Sequence, residues 1–135
     1  GELAYMAGAA WLSPAPTLVH DRILDVFLSE TPQLIPARSE DGVEARYRLQ
    51  LELRRFEAEY DQGDGRAPLI QMRMVARLID REERALAASR RFDVSVRASD
   101  NRQAALIEAF SQASNETAHA LANWTSGVVC AEAPC

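Results

Sequence analysis

The chain has 135 residues, 47 % hydrophobic and 26 % charged, a length and balance that fit one domain with its own core and exclude disorder throughout. Its net charge of −5 argues against a nucleic-acid partner, which calls for a strong basic patch, and no apolar run approaches the ~20 residues of a membrane-spanning helix. All 15 basic residues are arginine, which excludes Schiff-base and Walker-lysine chemistry.

The opening, Gly1-Glu2-Leu3-Ala4-Tyr5, has no Met, basic n-region or long apolar h-region. It reads as a mature or shortened chain with no visible signal peptide. Residues 2–7 form a short apolar run and predict a strand. After Trp11, Ser13 is an N-cap type, and Pro14 and Pro16 suit a first helical turn. Leu18, Val19, Ile23, Val26 and Phe27 then recur at helical spacing, with His20, Asp21, Arg22 and Asp25 largely on the other side. That helix should stop near Thr31-Pro32. Residues 33–36 read as extended and 39–42 as a loop.

The clearest strand follows. Tyr47, Leu49, Leu51 and Leu53 alternate with polar residues in period two, so one face is buried and the other charged. The apolar series then moves to even numbers at Phe56, Ala58 and Tyr60, and the phase slip at Arg54-Arg55 predicts a β-bulge. Residues 61–65 (Asp-Gln-Gly-Asp-Gly) make a turn. A second strand carries Ile70, Met72, Met74, Ala76 and Leu78, a charged turn spans 80–84, and a third strand runs to about Arg97 with Phe92, Val94 and Val96 alternating. Short connections make the three an antiparallel meander.

Ser99 or Asp100 should cap a long last helix. Its stripe is Leu106, Phe110, Ala113, Thr117, Leu121 and Trp124, and Gly127 is expected to end it. The sum is an α+β fold: a mixed, largely antiparallel sheet with a long three-stranded meander, covered by two amphipathic helices. The domain is expected over 1–127, with a C-terminal tail over 128–135.

The inventory for chemistry is thin. His20 and His119 each sit on a predicted helix, and adjacent His20-Asp21 point in different directions. Both read as surface histidines. No Gly-x-Ser-x-Gly elbow, His-x-x-x-His pair, dinucleotide loop or phosphate loop occurs. A small hydrolase or ligand-binding enzyme is therefore disfavoured, and no catalytic residue, cofactor or metal site is assigned. Cys130 and Cys135 are too few ligands for zinc. Their spacing would close a small disulfide loop in an oxidising compartment, or leave two thiols on a tail. Acids alternate with arginines on the strand faces, where cross-strand ion pairs account for them. The arginines still outnumber the acids on that face. Arg46, Arg48, Arg73 and Arg77 are the candidate interface, either an assembly or anion-binding surface or a solvated sheet face.

The order of segments resembles a known family. Residues 2–11 (Glu-Leu-Ala-Tyr-Met-Ala-Gly-Ala-Ala-Trp), with Pro16, Leu18-Val19 and Asp21-Arg22-Ile23-Leu24, resemble the middle of the ABC-type transport auxiliary lipoprotein family. The strand 47–57, Ala76-Arg77-Leu78-Ile79-Asp80, Arg91-Phe92, residues 100–104, residues 109–113 and Leu121-Ala122-Asn123-Trp124 match in the same order. The resemblance covers about residues 2–125 and rests on the ordered set, not on one motif. Family members begin with a lipoprotein signal, a lipidated Cys and early strands, so this chain looks like the later part of the family domain, lacking those N-terminal strands. The resemblance implies a periplasm-facing lipoprotein anchored in the outer membrane by an N-terminal lipid absent from this chain. It implies as partners an ABC permease and ATPase and a protein with a mammalian-cell-entry domain, lipid movement across a Gram-negative envelope, and no catalytic residues. A homo-oligomer is also expected. The fold type is similar to the N-terminal domain of the Tol-system β-propeller protein, so a Tol-like partner-binding domain outside lipid transport is the alternative.

Overall fold

The structure is a computed structural model that describes residues 15–30 and 46–132. In chain order it contains α1 (Ala15–Glu30), β1 (Tyr47–Glu59), β2 (Leu69–Asp80), β3 (Ala85–Arg97) and α2 (Gln103–Glu132). The three strands form an antiparallel meander with β2 in the middle. The helices pack against each other, and α2 lies over β2 and β3. This is the expected α+β arrangement. The strand expected over 2–7, the Ser13 cap and the segments at 33–36 and 39–42 lie outside the described residues.

Period two in β2 translates directly into burial. Ile70, Met72, Met74, Ala76 and Leu78 face the helices and are at most 2 % exposed, while the odd positions stay half-buried on the outward face. In β1 both Leu53 and Phe56 reach the core, although their parities differ. The reason is the bulge. Leu53 faces Met74 and Arg55 faces Arg73, so Arg54 is the extra residue, where the phase slip in the sequence predicts it. A second irregularity was not legible: Leu78 faces Ala88 but Ile79 faces Leu86, which leaves Ala87 over in β3.

Four apolar residues of α1, Val19, Ile23, Val26 and Phe27, join the core. The α2 stripe also behaves as its spacing predicts: Leu106, Phe110, Ala113, Thr117 and Leu121 are buried. Trp124 is half-buried and meets Phe92 edge-on, with centroids 5.9 Å apart. The Phe110 ring stands edge-on to Phe56 at 4.7 Å, a favoured aromatic geometry. Beside it the Thr117 hydroxyl donates to the Met72 sulfur at 3.3 Å. Asp100 braces the entry to α2 by accepting the Arg102 backbone N–H at 2.7 Å.

One expectation about α2 fails. The helix does not stop at Gly127 but runs on to Glu132. Gly63 is the one glycine with positive φ among the described residues, so Gly127 does not adopt the left-handed cap on which the expectation rested. A Cβ at Gly127 would meet nothing within 4 Å. Gly127→Ala should therefore stabilise the protein by about 0.5–1 kcal/mol, the cost of an exposed mid-helix glycine. Chemical denaturation checks this, and a loss of stability would mean that the helix is not continuous there.

Candidate functional site

The sheet has one face under the helices and one face outward. Reading across the strands, the outward rows are Glu57, Gln71 and Ser95; then Arg55, Arg73 and Asp93; then Glu52, Val75 and Arg91; then Gln50, Arg77 and Ser89; and finally Arg48, Ile79 and Leu86. The bulge matters here, because it moves Arg55 rather than Arg54 into line with Arg73.

Apart from Arg48, the arginines on this face are paired within the sheet. Arg73 Nε lies 2.7 Å from Asp93, and Arg91 Nε lies 2.8 Å from the other oxygen of the same carboxylate. Arg55 pairs with Glu57, and more loosely with Glu59. Arg77 reaches Glu52 at 3.7 Å, and Arg54 reaches the same carboxylate at 3.3 Å. At the far end of β3, Arg97 makes a two-pronged contact with Asp61. The neighbouring guanidiniums hold Asp93, Glu52 and Asp61 below the ordinary carboxylate range; the charged hydrogen bond from Arg73, Arg54 and Arg97 respectively is the main cause. Acids from a neighbouring subunit are thus not needed to neutralise Arg73 and Arg77. The cross-strand pairs expected from the alternation supply that charge.

Of the candidate arginines, Arg48, Arg73 and Arg77 do share the outward face, and Arg46 does not join them. Arg46 precedes β1, and its guanidinium turns to Asp80, with Nη2 3.0 Å from Oδ2 and Nε 3.3 Å from Oδ1. Asp80 is the last residue of β2 and is only 4 % exposed. Its Oδ1 also accepts the backbone N–H groups of Glu82 and Glu83, and Arg46 reaches Glu82 as well. The Arg46 hydrogen bond, helped by those backbone donors, lowers the Asp80 pKa against the opposing effect of burial. The same bond raises that of Arg46. This node ties the start of β1 to the β2–β3 turn, in which Arg84 adopts a positive φ of 53°. An aspartate at a strand end before a polar turn is a signal that sequence reasoning could have used.

Arg48 makes no ion pair among the described residues. It shares its row with half-buried Ile79 and with Leu86, which is 57 % exposed. A cation beside exposed aliphatic surface suits a protein partner better than a reaction.

The histidines are separated by the fold. His20 is exposed on α1. His119 is exposed on α2, as expected, and places Nδ1 2.6 Å from Glu30 Oε1 at the end of α1, so it links the two helices. Residues so far apart in the chain leave no local signal of such a contact. Among the described residues, no group of three or more His, Cys, Asp or Glu side chains could hold a metal ion, and no helix is long and apolar enough to cross a membrane. Cys130 lies in the last part of α2; Cys135 lies outside the described residues.

The chain is similar to several known proteins. The crystal structure of protein XCC0632 from Xanthomonas campestris superposes with a TM-score of 0.84 and 27 % identity over 100 % of this chain and 74 % of that one. A second crystal structure, from Caulobacter crescentus CB15, has a TM-score of 0.50 and 22 % identity over 90 % of each chain, a likeness of fold alone. Protein bll6063 of Bradyrhizobium diazoefficiens is 30 % identical over 125 residues, which are 93 % of this chain but 33 % of that protein. The chain thus spans about a third of the length of that curated relative. With the family model of the ABC-type transport auxiliary lipoprotein component matching residues 1–122, the chain belongs to that family.

Proposed function

We propose that the protein is a non-enzymatic auxiliary component of an ABC-type envelope transport system, and that it serves lipid trafficking between the inner and outer membranes. Family membership carries this reading. The site geometry agrees with it: the outward sheet face is an ordered array of paired arginines and carboxylates flanked by Arg48, Ile79 and Leu86, suited to docking a protein surface. In this reading the full-length protein is an outer-membrane-anchored lipoprotein facing the periplasm. Its partners are the permease and ATPase and a protein with a mammalian-cell-entry domain, and Cys130 and Cys135 form a disulfide there.

Reversing charge on the docking face tests it. Arg73→Glu with Arg77→Glu sets acids beside Asp93 and Glu52, where like charges repel. The double variant should keep its circular dichroism, since both side chains point away from the core, and should no longer co-purify with the transporter components from its own envelope. A folded double variant that captures the same transporter components as the wild type would exclude this face from docking. Failure of the wild-type protein to capture any transporter component would count against the transport role itself.

A further inference from the structure

The last outward row of the sheet, Arg48, Ile79 and Leu86, contains a leucine that strand parity would turn inward. In β3 the even positions Phe92, Val94 and Val96 contribute to the core, and Ala88 lies opposite inward-facing Leu78. An unbroken ladder would carry Leu86 to the same side. The extra residue at Ala87 reverses the parity, so Leu86 comes into line with Ile79 on the outward face and stands 57 % exposed. Bulges re-aim side chains in this way and gather next to functional sites.

The cation of the row is the one left over from the pairing of its face. Asp80 and Glu82, at this end of the sheet, hold Arg46. Glu52, two rows away, holds Arg54 and Arg77. The other arginines of the outward rows have carboxylates of their own. Arg48 is exposed and makes no ion pair among the described residues.

We propose that Arg48, Ile79 and Leu86 are the anchor point of the docking face, and that the transporter component docking there presents a carboxylate beside an apolar side chain. The identity of the partner rests on the transport reading; the chemistry of the contact rests on the row. The carboxylate takes the parallel N–H donors of Arg48. The apolar side chain covers Leu86 and Ile79 and keeps water from the charged contact. Arg73 and Arg77 are neutralised inside the sheet, so they shape the surrounding surface while Arg48 supplies the uncompensated charge. An anionic bilayer would call for a broad excess of unpaired bases, and this row offers one.

The test is capture of transporter components from the protein's own envelope by the full chain, with the permease, ATPase or mammalian-cell-entry protein identified by mass spectrometry. Arg48→Glu should lower the captured amount roughly tenfold. Arg48→Met keeps the aliphatic stem without the charge, and should capture less than Arg48→Lys. Rising salt should weaken wild-type capture more steeply than that of Arg48→Met. Leu86→Ser should lose capture as Arg48→Glu does. Ile107→Ser, which removes the other large exposed aliphatic side chain, on α2, should capture as wild type does. Circular dichroism checks the fold of each variant; should Arg48→Glu lose it, Arg48→Met and Leu86→Ser carry the test. Folded variants at both positions that capture as much as wild type would overturn the anchor and leave the transport reading standing. A wild type that captures none of these components removes the transport reading, and the partner named here with it. Wild-type binding to phosphatidylglycerol vesicles that Arg48→Glu abolishes, or a wild-type dimer that Arg48→Glu dissociates, would assign the row to a lipid surface or to a second copy and equally overturn the proposal.

Discussion

Phe110→Ala should melt roughly 10–20 °C below the wild type, the equivalent of about 3–5 kcal/mol for a large aromatic removed from a closed core. The side chain is 0 % exposed and seats its ring edge-on against Phe56 of β1. Truncation removes the aromatic pair and leaves a cavity beside Met72, Thr117 and Phe56, side chains that are themselves wholly buried and have little room to close it. Phe110→Leu should lose much less, since it keeps most of the volume. Thermal unfolding of the two variants side by side measures the difference. Equal, small losses for both would mean that α2 does not rest on the sheet at this point.

Asp80→Asn should produce the second large loss, and one that depends on pH. The carboxylate is buried and accepts two hydrogen bonds from Arg46 and two from the turn backbone. Its pKa is lowered, chiefly by the Arg46 hydrogen bond. A carboxyl whose folded pKa is below its unfolded value of about 3.9 contributes stability above that value, and the contribution disappears as pH falls through the folded pKa. The variant should therefore be clearly less stable than wild type at neutral pH. The gap should close in strong acid, where Asp80 is protonated. It should not shrink between pH 8 and 5, where the charge state is constant. Melting curves across that range give the answer, and a gap independent of pH down to strong acid would show that shape, not charge, holds the turn.

Much of this fold is written in local periodicity. The even series of β2 and the change of parity between Leu53 and Phe56 were legible because a half-buried sheet forces alternation, and a phase slip has one cheap structural solution. The α2 stripe was legible for the same kind of reason. Gly127 misled because glycine ends a helix only where the backbone turns left-handed, which its identity alone does not specify. The site was half legible. The alternation of arginines with acids foretold cross-strand pairs, but which carboxylate meets which guanidinium depends on a register displaced by the Arg54 bulge. Arg46 was assigned to the wrong environment because strand parity was extended past the strand's first residue, where the chain is free to turn its side chain toward Asp80. The Glu30–His119 contact joins separate helices and has no local trace.

The bulge at Arg54 also divides the β1–β2 hairpin into two segments that are aligned independently. On one side, Phe56 and Ala58 are held in step with Met72 and Ile70 next to the loop that Arg97 fastens through Asp61. On the other, Leu49 and Leu51 are held in step with Leu78 and Ala76 next to the Arg46–Asp80 node. Each segment thus has its own anchor at its outer end and meets the other at a residue that already breaks the ladder. A one-residue slip begun at either end can be absorbed at that break instead of running the length of the strand. Pairing errors in this hairpin are accordingly confined to one half, and a strand of 13 residues carries the misalignment risk of two short ones.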